Sequence, residues 1–292
     1  MFYRKLLFLV SYILFSVFGF AQKKEVQVVL LAGQSNMAGH GNYENLDANL
    51  RVRIDKIKHR VLLSDGGKEA KPLSYTRIKP SEKYQFTKSF GPEIFIGLTL
   101  AEAHPNQEFL LIKKAQGGTA LYGAWNPEWS EDKAKEIEKG FKQKLNLCKI
   151  HIGAIHKNLK TLEKKGQPYK IIGMAWMQGE NDAILDVSAN TYGETLKKLI
   201  LLYRKEFHLE EMPFVIGQIN SRYGVENGAA RVRKEMEEVA NDDAKVGIIK
   251  TSTDTSWNDY PKNPDNVHYN ADGQKRLGVS FAEQLIILQN KH

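Results

Sequence analysis

The chain has 292 residues, of which 42 are Lys or Arg and 34 are Asp or Glu, giving a formal net charge of +8. Its single cysteine excludes an intramolecular disulfide framework and any zinc or iron–sulfur site built from several cysteines. The basic residues are scattered, in runs no longer than a pair, whereas nucleic-acid-binding proteins concentrate positive charge in a patch or arm. We therefore expect no nucleic-acid partner.

The N-terminal segment 1–21 has the three parts of a secretory signal peptide. A basic head precedes an almost unbroken apolar run over 6–18, and Gly19 and Ala21 provide the small residues of a cleavage site. An uncleaved membrane anchor is the alternative, but the run is short for a bilayer. The segment holds two basic residues and no acidic one, so cleavage after Ala21 leaves a net charge of +6. We expect a secreted or periplasmic protein with no stable membrane anchor.

Short apolar runs alternate with longer stretches of helical spacing along the rest of the chain. The runs that resemble buried parallel strands are 26–31, 108–113, 171–177, 214–219 and 246–250. Apolar residues at steps of three and four predict helices between them, including one stripe from Phe141 to Leu162. This alternation indicates an α/β fold, a three-layer α/β/α sandwich with a mostly parallel five-stranded sheet.

The segment 22–292 contains no internal repeat, low-complexity stretch or Pro/Ser-rich linker, so we expect a single domain. Its least regular part, 42–90, is expected to cover one end of the sheet. Cys148 falls within the apolar stripe that begins at Phe141, where a buried cysteine acting as a small hydrophobe is favoured over a catalytic thiol.

The first predicted strand runs directly into GQSNMAG (33–39), which places Ser35 between glycines at the carboxyl end of a strand. Open α/β sheets bind their ligands at that edge. The glycines permit a tight turn that exposes the hydroxyl, and the start of the next helix offers an N–H to a developing oxyanion. Ser35 is therefore a candidate nucleophile, although the motif alone also fits a ligand- or phosphate-binding turn.

The segment DNVH (265–268) supplies a candidate base between the last predicted strand and the last helix, for which Asn270 is the expected N-cap. Histidine suits the activation of a serine hydroxyl near neutral pH. Asp265 lies three residues before His268, close enough to reach the second imidazole nitrogen and fix its tautomer. Glu180, in a turn after the third strand, is an alternative partner that chain spacing leaves open.

Two further turns follow predicted strands, AQGGT (115–119) after the second and QGEND (178–182) after the third. Each alone is a routine strand-to-helix turn. All four motifs, however, fall at strand ends on the same edge of the sheet. A backbone N–H of Gly117 or Gly118, the side-chain amide of Asn181 and the N–H of Ser35 can together form an oxyanion hole.

The motifs G-Q-S-N-M-A-G, Q-G-G-T, W-M-Q-G-E-N-D and D-N-V-H-Y, in this order, resemble the four blocks of the SGNH hydrolase superfamily. They are most similar to its sialate O-acetylesterase-like branch, which includes the acetylxylan esterases of carbohydrate esterase family six. The similarity extends over about 26–288 and includes Gly91-Pro92-Glu93. The resemblance implies an SGNH-hydrolase, flavodoxin-like fold and removal of acetyl groups from carbohydrates without a metal or other cofactor.

The same resemblance implies a role for each motif residue. Ser35 corresponds to the nucleophile, Asp265 and His268 to the catalytic pair, and Ser35, Gly118 and Asn181 to the oxyanion donors. The candidates for supporting roles are Gln34, Gly117, Gln178 and Glu180. The expected partner is an acetylated oligo- or polysaccharide, and aromatic faces that stack on sugar rings are expected from Trp125, Trp129, Trp257 and Tyr260.

Two other functions use the same residues differently. The serine apparatus also fits an esterase of lipid or aryl esters, which differs in preferring longer acyl chains. A non-catalytic glycan-binding protein on a hydrolase scaffold is the alternative outside the enzymes, but loss of Ser35 or His268 is typical of that class and both are present.

Overall fold

The computed structural model describes residues 23–254 and 258–291, so the predicted signal segment 1–21 lies outside the described residues. The strands are β1 Val26–Gly33, β2 Gly41–Asn42, β3 Val61–Asp65, β4 Lys71–Pro72, β5 Thr76–Arg77, β6 Lys88–Phe90, β7 Glu108–Ala115, β8 Tyr169–Met177, β9 Phe214–Gly217 and β10 Val246–Ile249. The helices are α1 Ser35–Ala38, α2 Ala48–Ile57, α3 Glu93–Ala103, α4 Glu131–Ile137, α5 Leu147–Lys164, α6 Asp186–Asn190, α7 Tyr192–Glu206, α8 Gly228–Asp242 and α9 Ala271–Asn290.

The main sheet has the order β10-β9-β8-β1-β7-β3-β4 among the described strands. All neighbours run parallel except β4, a two-residue edge strand antiparallel to β3. The register of the central strands pairs Gly33 with Ala115 on one side and with Met177 on the other. The residues that follow these three therefore leave the sheet at the same level, which brings three of the sequence motifs together.

Helices cover both faces of the sheet. Helix α9 packs against α3, β9 and β10 on one face, while α5 packs on β7 and α8 on α7 and β10 on the other. Adjacent residues of β8 show the two faces, because strand neighbours point in opposite directions. Trp176 donates from Nε1 to the hydroxyl of Tyr192 in α7 at 3.2 Å. On the opposite face, Met177 and Phe281 of α9 both lie next to Gly217.

The structure confirms the predicted α/β/α sandwich with a mostly parallel sheet but not the strand count. The sheet has seven strands because the irregular stretch 42–90 contributes β3 and β4 at one edge. The run 61–65 is short and only partly apolar, with Ser64 and Asp65 at its end, so periodicity gave a weak signal. The same stretch also forms a separate small sheet of order β2-β6-β5.

The predicted helical stripe from Phe141 to Leu162 is correct only from Leu147 onward. The side chain of Asn146 accepts a hydrogen bond from the Lys149 N–H at 3.0 Å and caps the start of α5. Phe141 lies before this cap in a 3-10 helix and is 67% exposed. Cys148 is buried within α5, as the apolar stripe predicts, and its thiol donates to the Trp125 carbonyl at 2.8 Å.

A buried ion pair connects the sheet to the turn that follows β1. Lys113 of β7 and Glu93 of α3 are separated by 2.8 Å, with side chains only 3% and 1% exposed. Lys113 also donates to the Ala38 carbonyl at 2.9 Å, and Glu93 accepts from the Gly91 N–H at 2.9 Å. These contacts fix the end of α1 against α3.

We expect Lys113→Met to lower the free energy of unfolding by about 3–5 kcal/mol, because Glu93 keeps a buried carboxylate without its partner. Urea unfolding followed by circular dichroism measures the change. The matched control is Lys58→Met, which breaks an exposed ion pair with Asp55 and leaves the midpoint unchanged. Equal midpoints for the two variants would contradict the expectation.

Candidate active site

Ser35 begins α1, separated from the end of β1 by Gln34 alone, and close backbone packing holds this turn. A Cβ at Gly33 would lie 2.0 Å from the carbonyl oxygen of Met177, so this turn requires a glycine. The N–H of Gln34 donates to the same carbonyl at 2.9 Å. Ser35 lines a cavity of about 500 Å³ at the carboxyl edge of the sheet. The cavity is also lined by Gln34, His40, Lys83, Tyr84, Gly117, Gly118, Glu180, Asn181, Tyr223, Val267 and His268.

His268 enters this cavity already paired with Asp265. Nδ1 of His268 lies 2.8 Å from Asp265 Oδ2, while Oδ1 accepts the backbone N–H groups of Val267 and His268, each at 2.9 Å. The loop thus folds back on itself and leaves Nε2 as the remaining ring nitrogen. Among the hydrogen bonds of the described residues, none joins the Ser35 hydroxyl to His268 directly, and hydrogen bonds between reacting groups commonly tighten when substrate binds.

The carboxylate of Asp265 is held in its charged form. Partial burial raises the pKa of Asp265, but the His268 N–H, the Lys83 ammonium and the His268 ring outweigh burial and keep that pKa well below its usual range. Lys83 lies 2.6 Å from Asp265 Oδ2. An ionised carboxylate at this place can accept the Nδ1 proton of His268, which fixes the tautomer of the ring.

Glu180, the alternative partner for His268, contacts a different group. Its Oε1 accepts from the Asn36 side-chain amide at 2.8 Å, and the residue is 2% exposed. Burial raises the pKa of Glu180, which the hydrogen bond from Asn36 only partly offsets. Of the two candidate carboxylates, Asp265 is therefore the one that contacts the imidazole.

The three candidate oxyanion donors border the cavity. Gly117 packs directly against Ser35, since a Cβ added at Gly117 would lie 3.5 Å from the Cβ of Ser35. Gly118 has a φ of 62°, a left-handed conformation that favours glycine, and its carbonyl accepts from Lys142 Nζ at 2.5 Å. Within the described part of the chain, the N–H of Gly118 and the side-chain amide of Asn181 donate to no other group.

Gln34 and Gln178 connect two of the motif turns. Oε1 of Gln34 accepts from the Gln178 side chain at 3.2 Å and from the backbone N–H groups of Gly179 at 3.2 Å and Asn181 at 3.4 Å. Both glutamines are buried. These contacts link the Asn181 turn to the residue before Ser35, and the supporting role of the two glutamines stays a prediction.

Asp182 holds two loops of the site together, a role that was not predicted from the sequence. Its buried carboxylate accepts from the Leu121 and Tyr122 N–H groups, each at 2.8 Å, and from the side chain of Gln178 at 2.5 Å. Burial raises the pKa of Asp182 to about 7, against the opposing effect of these hydrogen bonds. The residue fixes the loop after Gly118 to the turn that carries Asn181, and its place in the QGEND motif was the available signal.

Three of the predicted sugar-stacking residues, Trp125, Trp129 and Tyr260, do not line this cavity. Trp125 is fully buried, with its ring 5.2 Å from that of Trp176, so it belongs to the core. Tyr260 packs against α9 and bonds the Ser280 hydroxyl at 3.0 Å, bordering a separate depression. Short spacing after a motif predicted the loop but not the direction of the ring. Trp257 lies outside the described residues.

Other aromatic residues line the site instead, and no sequence motif indicated them. His40 stacks on Tyr84 with ring centroids 4.6 Å apart and meets His268 edge-on at 4.5 Å. Burial and the nearby His268 and Lys83 lower the pKa of His40 to about 4. Tyr223, 52% exposed, lines the same cavity. Tyr84 comes from the irregular stretch 42–90, whose position only the tertiary structure fixes.

Across 23–254 and 258–291, no cluster of three or more His, Cys, Asp or Glu side chains is arranged to hold a metal ion. Over the same residues, no helix combines the length and apolar character needed to cross a bilayer.

Comparison with known proteins finds similar proteins that cover about nine-tenths of this chain. A curated relative is a probable carbohydrate esterase from Arabidopsis thaliana, 24% identical over 267 residues, with 88% of this chain and 89% of the relative covered. Among solved structures, NanS has a TM-score of 0.64 at 16% identity, covering 92% of this chain and 99% of that one.

A novel carbohydrate acetylesterase from Xanthomonas citri has a TM-score of 0.57 at 16% identity, covering 90% of this chain. This chain spans 56% of that protein's length, so the relative is longer. These structural likenesses show a shared fold. The family model for carbohydrate esterases described as sialic acid-specific acetylesterases matches residues 25–287. The chain therefore belongs to this sialic acid-specific acetylesterase family of carbohydrate esterases.

Proposed function

We propose that the protein is a serine esterase that removes O-acetyl groups from carbohydrates through an acyl-enzyme intermediate. The observation that carries the proposal is the 2.8 Å contact between His268 Nδ1 and Asp265, in a cavity that Ser35 and His268 share. A nucleophile, a base and an orienting carboxylate are the elements that acyl transfer requires.

In the proposed reaction, His268 Nε2 accepts the proton of the Ser35 hydroxyl as its oxygen attacks the acetyl carbonyl. The N–H groups of Ser35 and Gly118 and the amide of Asn181 donate to the resulting oxyanion, where removal of one donor costs about 3–4 kcal/mol. His268 then protonates the departing sugar oxygen, leaving an acetyl ester on Ser35. Water attacks this ester, gives its proton to His268 and releases acetate, and the proton returns to Ser35.

The class of substrate follows from the family and from the shape of the site. The cavity of about 500 Å³ is open to solvent and bordered by the rings of His40, Tyr84 and Tyr223, which can contact a sugar face. We propose acetylated carbohydrate as the substrate, of the acetylxylan or sialate type. An esterase of lipid or aryl esters would instead favour long acyl chains.

Acetate release tests both the activity and the substrate class. We expect release from at least one of acetylated xylan, pectin, mannan and O-acetylated sialic acid, with long-chain p-nitrophenyl esters turned over more slowly than the acetate ester. Ser35→Ala should lower kcat by about 10³-fold or more, because no other group can form the acyl-enzyme. Ser64→Ala, a buried serine of β3, is the matched control with unchanged activity. Full activity in Ser35→Ala would disprove the proposed mechanism.

The dependence of kcat/KM on pH should have an acid limb of unit slope. The proposed reaction requires a neutral imidazole at His268, so kcat/KM is expected to fall toward acid pH by no more than tenfold per pH unit. Asp265 does not add a second proton, because its pKa lies well below its usual range, and His40 is already neutral above a pKa of about 4. A slope of two, or activity that rises toward acid pH, would contradict this assignment.

We also propose that the protein is exported and that residues 1–21 are removed. The basic head, apolar run and Gly19-x-Ala21 exit of this segment support the proposal. Expression of the full chain in a bacterial host followed by mass spectrometry of the periplasmic and medium fractions should give an N-terminus at Gln22. Recovery of the intact chain in the membrane fraction alone would indicate an anchor instead.

A further inference from the structure

Asn36 is fully buried, and its side-chain amide contacts three separate groups. Nδ2 donates to Glu180 Oε1 at 2.8 Å and to the Val267 carbonyl at 3.1 Å, while Oδ1 accepts from the Tyr269 N–H at 3.1 Å. Val267 and Tyr269 flank His268 in the chain. A single carboxamide therefore holds the peptide groups on both sides of the candidate base.

The direction of this amide is dictated by its partners. The carbonyl of Val267 can only accept and the N–H of Tyr269 can only donate, so Nδ2 must face the first and Oδ1 the second. Both protons of Nδ2 are used when Glu180 accepts the other one. The backbone carbonyl of Asn36 also accepts from the Gln274 side chain at 3.2 Å, which anchors the residue to α9.

Glu180 contributes an acceptor oxygen to this arrangement. Its Oε1 receives the Asn36 proton, and its Oε2 is buried with no hydrogen-bond partner in the described part of the chain. Burial without a cation raises the pKa of the Glu180 carboxyl. Because a neutral carboxyl or a carboxamide also presents an acceptor oxygen, the contact with Asn36 does not need a charge.

Asn36 follows Ser35 directly, so a shift of its side chain moves the nucleophile and the His268 loop relative to each other. We infer that Asn36, oriented by Glu180, is a positioning residue that sets the alignment of the Ser35 hydroxyl with His268 Nε2. The inference rests on the proposed esterase function. It assigns Glu180 a role through Asn36, whereas Asp265 contacts the imidazole directly at 2.8 Å.

Three variants test the inference, assayed for kcat, KM and the rate at which a fluorophosphonate labels Ser35. Asn36→Asp places a carboxylate oxygen against the Val267 carbonyl, where the amide donates in the parent. We expect kcat and the labelling rate to fall about 100-fold, as for a misplaced reacting group, while KM changes by no more than about threefold. Glu180→Ala should lower kcat about tenfold, because Asn36 loses one of its three contacts. Glu180→Gln keeps the acceptor and should restore most of that loss.

The matched control is Asn158→Asp, an equal change at a buried asparagine of α5 that bonds Ser64 and the Ala154 carbonyl. It is expected to lower the melting temperature without lowering kcat, which separates positioning from stability. If Asn36→Asp does not fold, the two Glu180 variants decide the question, because only the presence of an acceptor oxygen distinguishes them in this contact.

Three results would overturn the inference. They are parental kcat in both Asn36→Asp and Glu180→Ala, a loss confined to KM, and a Glu180→Gln variant as impaired as Glu180→Ala. An inactive Ser35→Ala together with any of these results leaves the proposed function standing and removes only the positioning role. Full activity in Ser35→Ala would remove both.

Discussion

The site depends on two buried carboxamides on either side of Ser35. Gln34 accepts hydrogen bonds from the turn that carries Asn181, and Asn36 bonds the loop that carries His268. Each contact crosses between segments more than 140 residues apart in the chain. A buried amide that lacks a hydrogen-bond partner costs free energy, so arrangements of the loops that break these bonds are disfavoured. The bonds therefore stabilise the loops and also specify how they meet.

Three carboxyl groups near the site differ in the charge state that their surroundings favour. Asp265 is only partly buried and receives two backbone N–H groups and a lysine, which lower its pKa. Glu180 and Asp182 are buried without a cation, and their pKa values are raised. In the proposed mechanism Asp265 stabilises a developing imidazolium, and it is the carboxyl group that its surroundings keep ionised. Glu180 and Asp182 accept hydrogen bonds that hold the surrounding turns.

The basic charge of the chain has a local role as well as a general one. Lys83 pairs with Asp265 at the cavity wall, Lys113 pairs with Glu93 beneath α1, and Lys142 binds the Gly118 carbonyl. Each cation is matched by a carboxylate or a carbonyl. Other lysines form exposed ion pairs dispersed over the surface, such as Lys58 with Asp55 and Lys197 with Asp242.

The amino-acid sequence alone predicted five of the seven strands of the main sheet, the alternating layers and the placing of four motifs at one sheet edge. Hydrophobic periodicity and chain order can be read from the sequence. In a parallel sheet the carboxyl ends of the strands lie at one edge, so the motifs that follow the strands come to lie there as well. The spacing of Asp265 and His268 favoured their pairing, because the two residues are only three positions apart in one loop. The sequence pattern also predicted that Cys148 is buried and that Asn270 caps α9. The Asn270 side chain accepts from the Gly273 N–H at 3.0 Å.

Which side chains face the cavity depends on packing between segments that are distant in the chain. Trp125 turns into the core because a large apolar ring gains more from packing on Trp176 than from solvent, and loop spacing does not encode that direction. Tyr84 reaches His40 from a stretch without periodicity. Glu180 bonds Asn36 because the two turns meet across the sheet edge. Contacts between distant segments depend on how the strands and helices pack, and short stretches of sequence do not encode them. The motifs that line the site are short stretches, so the sequence reveals them directly.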